Sequence, residues 1–219
     1  MMYFSQGVIG SPKSKDCRNW AAIFCVFIAL FISLPAQASS QIEAANRLIN
    51  TMVRDVESYL LADSGDISKR KEKITKLLDT HFDIPGIARF SAGPYWRAAN
   101  ELERITYTQS MREALIGTIT RNFDQLAGLR FTMIDSQAKG SKMVLVRGTF
   151  RDKAGKRPPV SVGWRVVTPH PAPAKVFDVE IENISMLITQ KQENISIIRK
   201  NGGQFSALIQ AMKQRQQTK

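Results

Sequence analysis

The chain is short of the residues from which most reactive sites are built. It has two cysteines and two histidines among 219 residues, and both cysteines, Cys17 and Cys25, fall near the start. Without cysteine beyond that point, a disulfide-stapled miniprotein is excluded, and so is a thiol nucleophile. His81 and His170 are far apart, and no pair of His, Asp or Glu has the helical spacing of a zinc site, so no metal is expected. Gly202-Gly203 lacks a preceding strand and a following Lys-Ser/Thr, which rules out a phosphate loop, and no cofactor is called for. Long apolar runs are also scarce. The one present, Trp20–Leu34, has 15 residues and is short of the roughly 20 that a membrane-crossing helix needs.

What precedes and follows that run reads as an export leader. Lys13, Lys15 and Arg18 stand before it, Pro35 ends it, and Ala36-Gln37-Ala38 has the small-x-small form that signal peptidase cuts. Residues 1–38 are therefore expected to be a cleaved signal peptide, residues 39–219 a single domain, and the location the periplasm. Cleavage after Ala38 leaves 181 residues and lowers the formal charge from +12 to +10. A balance this basic points to an anionic partner. For an exported protein a lipid headgroup fits better than nucleic acid, and no nucleic-acid partner is expected. With 43% hydrophobic residues and no disulfides, the domain must rest on an apolar core.

Periodicity divides the domain into a helical half and a strand half. From Gln41 to Ala62, Ile42, Ala45, Leu48, Ile49, Met52, Val53, Val56, Tyr59 and Leu60 recur at spacings of three and four, which predicts a long amphipathic helix. Asp66 is placed to cap a second helix through Leu78, with Lys69, Arg70, Lys71, Lys73 and Lys76 outward. Pro85 and Pro94 suit short helix starts, with Asp83 available as a cap. A third long helix is expected over Leu102–Leu126, with Ile105, Met111, Leu115, Ile119, Phe123 and Leu126 on one face.

After Gly128 the period becomes 2. Four strands are expected, over Leu129–Ser136, Lys142–Arg151, Val160–Thr168 and Ala174–Met186, and short connections make neighbours antiparallel. In the last strand Phe177, Val179 and Ile181 share one face, opposite Asp178, Glu180 and Glu182. Two helices close the chain, over Thr189–Asn201 and Gln204–Arg215. The apolar sheet face needs helices to cover it, which makes the class α+β. Asp178, Glu180 and Glu182 are the best acid–base candidates, although alternating charge on a strand is most often its wet side. Asn183-Ile184-Ser185 and Asn194-Ile195-Ser196 fit the glycosylation pattern.

Two signatures carry a resemblance. Phe82-Asp83, Ile87-Ala88-Arg89 and Gly93-x-Tyr95-Trp96-Arg97 lead into a long helix. Phe177-Asp178-Val179-x-Ile181-Glu182-x-Ile184-Ser185 leads into a helix and Gly202. In this order, and behind an export leader, they resemble the MlaC family of toluene-tolerance (Ttg-type) proteins over roughly residues 41–215. Asn183 stands where the resemblance leads one to expect Gly.

The resemblance implies a cone-like, NTF2-reminiscent fold: a four-stranded antiparallel curved sheet covered by several helices. It implies a periplasmic phospholipid shuttle that serves outer-membrane lipid asymmetry. Its partners would be an outer-membrane lipoprotein complex and an inner-membrane ABC transporter complex with an MCE-domain subunit. A hopanoid-associated branch looks similar, so a polycyclic isoprenoid is the alternative cargo. A secreted small α+β enzyme on an apolar substrate is the rival class, but no catalytic residue is assigned and the expectation is not an enzyme.

Burying hydrocarbon gains about 0.8 kcal/mol per CH₂, or about 12 kcal/mol for one long chain, so a carrier needs a dry slot. The candidate slot residues are Phe82, Phe90, Tyr95, Trp96, Phe123, Val144, Val146, Val162, Trp164, Phe177, Val179 and Ile181. Arg89 and Arg97 are the candidates for a phosphate at its mouth.

Overall fold

Polar residues ahead of apolar runs set where the helices begin. The computed structural model describes residues 35–217. Residues 1–34, most of the leader read above, lie outside the described residues, and Ala38–Lys219 forms one compact unit. Helix α1 spans Pro35–Leu61 and so begins before Gln41. Asp66 caps α2, Ile67–His81, by accepting from the N–H of Ser68 and of Lys69. Asp83 caps α3, Ile84–Ser91, by accepting from the Gly86 N–H at 3.1 Å. A short α4, Tyr95–Ala98, follows.

Helix α5, Glu101–Arg121, starts in a reciprocal box in which Asn100 and Glu103 each accept from the other's backbone N–H, at 2.9 and 3.0 Å. The expected helix to Leu126 ends at Arg121, and Phe123–Leu126 forms a separate 3₁₀ turn. Ile105, placed on the inward face, is 49% exposed. Helices α6, Met186–Lys200, and α7, Phe205–Gln217, complete the chain. Among the described residues no helix is long and apolar enough to cross a membrane.

The fold is α+β with one antiparallel, curved and unclosed sheet in the order β1 to β5, and among the described residues it has five strands rather than four. These are β1 Leu129–Ala138, β2 Met143–Asp152, β3 Val160–Val167, β4 Lys175–Ile181 and β5 Ile184–Ser185. The expected strand Ala174–Met186 is broken by Glu182 and Asn183, at φ 49° and 65°, a two-residue turn that folds β5 back on β4. Asn tolerates this left-handed conformation, so the turn forms without the glycine.

A bulge in β4 also changes its faces. Asp178 pairs with Arg165 and Val176 with Val166, which leaves Phe177 unpaired between them. Strict alternation is lost there, so Val176 and Val179 share the apolar face with Trp164 and Val166.

That apolar face is covered by α1. Ala45, Ile49 and Met52 pack on Val144, Val146, Val166 and Val176, with Phe131, Trp164 and Val179 half-buried at the margin. Asn46 accepts from the Ser136 hydroxyl at 2.6 Å, and His81 Nε2 lies 2.7 Å from Asp55 Oδ2. A second cluster joins α3, α5, α6 and α7, and a third joins α2, α3, α5 and the 3₁₀ turn.

The basic run on α2 is not wholly outward. Arg70 is 5% exposed, 2.5 Å from Asp63 and 2.9 Å from Asp124, with its guanidinium against the Phe123 ring. Two carboxylates there turn one member of a charge run into a tie between the α2 start and the 3₁₀ turn.

Candidate functional site

The densest signature in the sequence, Phe82 to Arg97, folds into one wall of an open cleft. The joint between α2 and α3 is fixed to the sheet, because the Asp83 N–H donates to the Val176 carbonyl at 2.9 Å. Helix α3 then projects Gly86, Arg89 and Phe90 toward the cleft. Gly93 turns the chain at φ 61°, with its Cα against the Ile195 side chain, and α4 adds Trp96 and Arg97. Phe177, the bulged residue of β4, and Lys191 of α6 complete the lining of a cleft of about 380 Å³. A volume of this order falls within the range of small-ligand sites, about 300–1,000 Å³.

The cleft has an aromatic floor and a cationic rim. Phe90 and Phe177 meet edge to face with centroids 5.6 Å apart, and Phe90 is 37% exposed. Trp96 lies under the Arg104 guanidinium at 5.7 Å, and Arg104 donates to the carbonyls of Trp96 and Arg97 at 3.0 and 3.1 Å. Arg104 thus braces α4 through its backbone. Lys191 Nζ sits 4.5 Å over the Phe90 ring. Among the described residues no Asp or Glu lines the cleft, and Arg89, Arg97 and Lys191 have no ion pair.

Behind the cleft, α3, α5 and α6 are joined by a buried polar network. The Tyr107 hydroxyl lies 2.7 Å from Ser91 Oγ and accepts from Asn194 Nδ2 at 2.7 Å, and Asn194 also donates to the Ser91 carbonyl. Gln190 in turn donates to Asn194 at 2.9 Å. Burial pushes the Tyr107 phenol up to about 12, so it stays neutral and acts as a hydrogen-bonding post. Asn194 has no exposed surface, so the second glycosylation match is a core side chain.

The acidic face of β4 is mostly not wet. Asp178 is buried, and it accepts from the Ser185 hydroxyl at 2.6 Å and the Leu187 N–H at 2.9 Å, with Arg165 3.3 Å away. Ser185 also caps α6 by accepting from the Ile188 N–H. Glu180 pairs with Arg165, and Glu182 accepts from the Ser161 N–H. These carboxylates bind β3, β4 and α6 together.

The residues expected at one slot are therefore divided. Phe90, Trp96, Phe177, Arg89 and Arg97 meet at the cleft. Val144, Val146, Trp164 and Val179 lie between the sheet and α1. Phe82 packs against both that cluster and the one containing Phe123, where Phe177 also packs. Tyr95 packs on the α5–α7 cluster, Val162 is buried in β3, and Ile181 is 41% exposed beside the β4–β5 turn. Gly86, Gly93 and Lys191 were missed. The two glycines stood inside the signature, but nothing in the periodicity of α6 singled out Lys191.

A family model described as MlaC protein matches residues 46–214, which include every residue lining the cleft. The chain belongs to the MlaC family. Among solved structures, this MlaC-family chain is similar in fold to a phospholipid-binding protein from Ralstonia solanacearum solved in complex with a phospholipid. The TM-score is 0.68 at 22% identity, covering 77% of this chain and 94% of that one. A comparison with curated proteins returns no match.

Proposed function

We propose that this MlaC-family chain is an exported phospholipid carrier of the periplasm. It takes lipid from one membrane complex, holds the hydrocarbon away from water and releases it to another. The observation that carries this reading is the pairing of an aromatic floor, Phe90, Trp96 and Phe177, with a rim of three cations and, among the described residues, no carboxylate. Such a cleft suits a ligand with an apolar body and an anionic end. The lipid-bound neighbour from Ralstonia supports the same class of ligand.

In this reading the phosphate sits at Arg89 and Arg97. The acyl chains run inward past Phe177 and Phe82 toward the seam between α1 and the sheet. Phe82 packs against the apolar clusters on both sides of that route, which supports an apolar environment for the chains. No bond needs to be made or broken, and release is driven by a partner that holds the lipid more tightly. The partners proposed are an inner-membrane ABC transporter complex with an MCE-domain subunit and an outer-membrane lipoprotein complex, in the service of outer-membrane lipid asymmetry.

Gentle purification, solvent extraction and mass spectrometry test the proposal. Stoichiometric phospholipid is the expected result, and protein that is lipid-free both as isolated and after incubation with phospholipid vesicles would overturn it.

A further inference from the structure

We infer that the cleft discriminates headgroups by charge, taking phospholipids with a net negative headgroup in preference to zwitterionic ones. This rests on the reading of the chain as a phospholipid binder and adds the substrate class. A zwitterionic headgroup brings an ammonium a few ångströms from its phosphate. A site made for it would offer a carboxylate beside its cations, and among the described residues no Asp or Glu lines this cleft.

Three acids close to the cleft residues along the chain are committed elsewhere, and Glu101, four residues after Arg97, is not among the residues lining the cleft. Asp178, next to Phe177, is closed by Ser185, Leu187 and Arg165. Asp83, three residues before Gly86, accepts from the Gly86 N–H. Glu193, two residues after Lys191, pairs with Arg215 at 2.8 Å.

The rim cations have no acidic partner among the described residues. Lys191 is held by the face of Phe90, a contact that positions its ammonium without using a carboxylate. Arg89 and Arg97 have no ion pair among the described residues, whereas Arg70, Arg112, Arg147 and Arg157 each have a carboxylate partner. Three like charges around one opening favour an anion and repel an ammonium, and the aromatic floor excludes some of the water that would screen them. Both arginines present planar forks suited to two phosphate oxygens, with Lys191 as the mobile third donor.

The test is a lipid competition. The full protein is incubated with vesicles of equimolar phosphatidylglycerol and phosphatidylethanolamine and re-isolated, and its bound lipid is extracted and quantified. Phosphatidylglycerol is expected to be enriched about tenfold, equivalent to about 1.4 kcal/mol. The combined variant Arg89→Gln, Arg97→Gln, Lys191→Gln should bind lipid in the ratio supplied, while Lys191→Arg should keep the preference. If the combined variant fails to fold, the salt dependence of the wild type decides. Between about 0.01 M and about 1 M salt the screening length shrinks from about 30 Å to about 3 Å, and the enrichment should fall with it.

Lipid bound in the supplied ratio at low salt would overturn the inference and leave the carrier reading standing, whereas no bound lipid of either kind would sink both. Isothermal titration with inorganic phosphate alone separates the remaining source of the same chemistry. Binding that is lost in the combined variant, together with unselective lipid uptake, would make the cleft a free-phosphate site and overturn the inference.

Discussion

Two charged groups, one at the foot of α6 and one around the cleft, meet at neighbouring residues of β4 and are handled in opposite ways. Asp178 is closed, with a hydroxyl, a backbone N–H and a guanidinium all directed at one buried carboxylate. One residue earlier the bulge turns Phe177 into the cleft, where Arg89, Arg97 and Lys191 surround an opening without an acid. The first arrangement spends its charge on the fold, fixing the start of α6 to the sheet. The second leaves its charge for something that arrives from outside. Counting charges would not separate the two; what separates them is whether each charge already has a partner.

The sharpest way to break this comparison is to open the closed cluster. Asp178→Ala leaves Arg165 with Glu180 alone and frees two donors at the start of α6, so the expected loss is about 3–5 kcal/mol, read by denaturant unfolding. Asp178→Asn, which still accepts hydrogen bonds, should cost less. Tyr107→Phe removes the hydroxyl that accepts from Asn194 behind the cleft. The expected cost is about 1–3 kcal/mol in thermal or chemical unfolding. Gly86→Ala puts a Cβ 2.1 Å from Asp83 Oδ2 and displaces the α3 cap, for about 1 kcal/mol in the same assay.

Arg70 sharpens the comparison through pH. The hydrogen bond from Arg70 holds the Asp63 carboxyl below its ordinary value of 3.8. A depressed carboxylate stabilises the fold above its unfolded pKa, and that contribution is lost as pH falls through the lower folded value. Arg70→Met should lower the thermal midpoint at neutral pH and lose less of it than the wild type does on acidification below 3.8. The smallest stability effect belongs to the open cluster. Each neutral substitution at Arg89, Arg97 or Lys191 should change unfolding by no more than about 0.5 kcal/mol while altering lipid selection.

Much of this architecture was legible in the sequence because it rests on local rules. The period of α1, the Asp66 and Asp83 caps and the change to period 2 after Gly128 each belong to a short window. The five expected residues that line the cleft came from one aromatic and basic signature plus Phe177. What could not be read depends on tertiary partners. Arg70 looked like one more solvated cation because Asp124 is far along the chain. Asp178 looked exposed because the groups that close it, Arg165, Ser185 and the Leu187 N–H, lie on β3 and beyond the β4–β5 turn, and Lys191 drew no notice because the ring that holds it lies on another helix. Val144 and Val146 were grouped with the aromatics of the mouth, since one apolar strand face does not announce which helix lies over it.

The extra residue in β4 has a further consequence. A seven-residue strand sends Val176 and Val179 to the interior, Phe177 to the opening and Asp178 to the foot of α6. Deleting the odd residue would exchange inside for outside along half of its length, so this stretch can accept swaps of side chain far more readily than any change in its count.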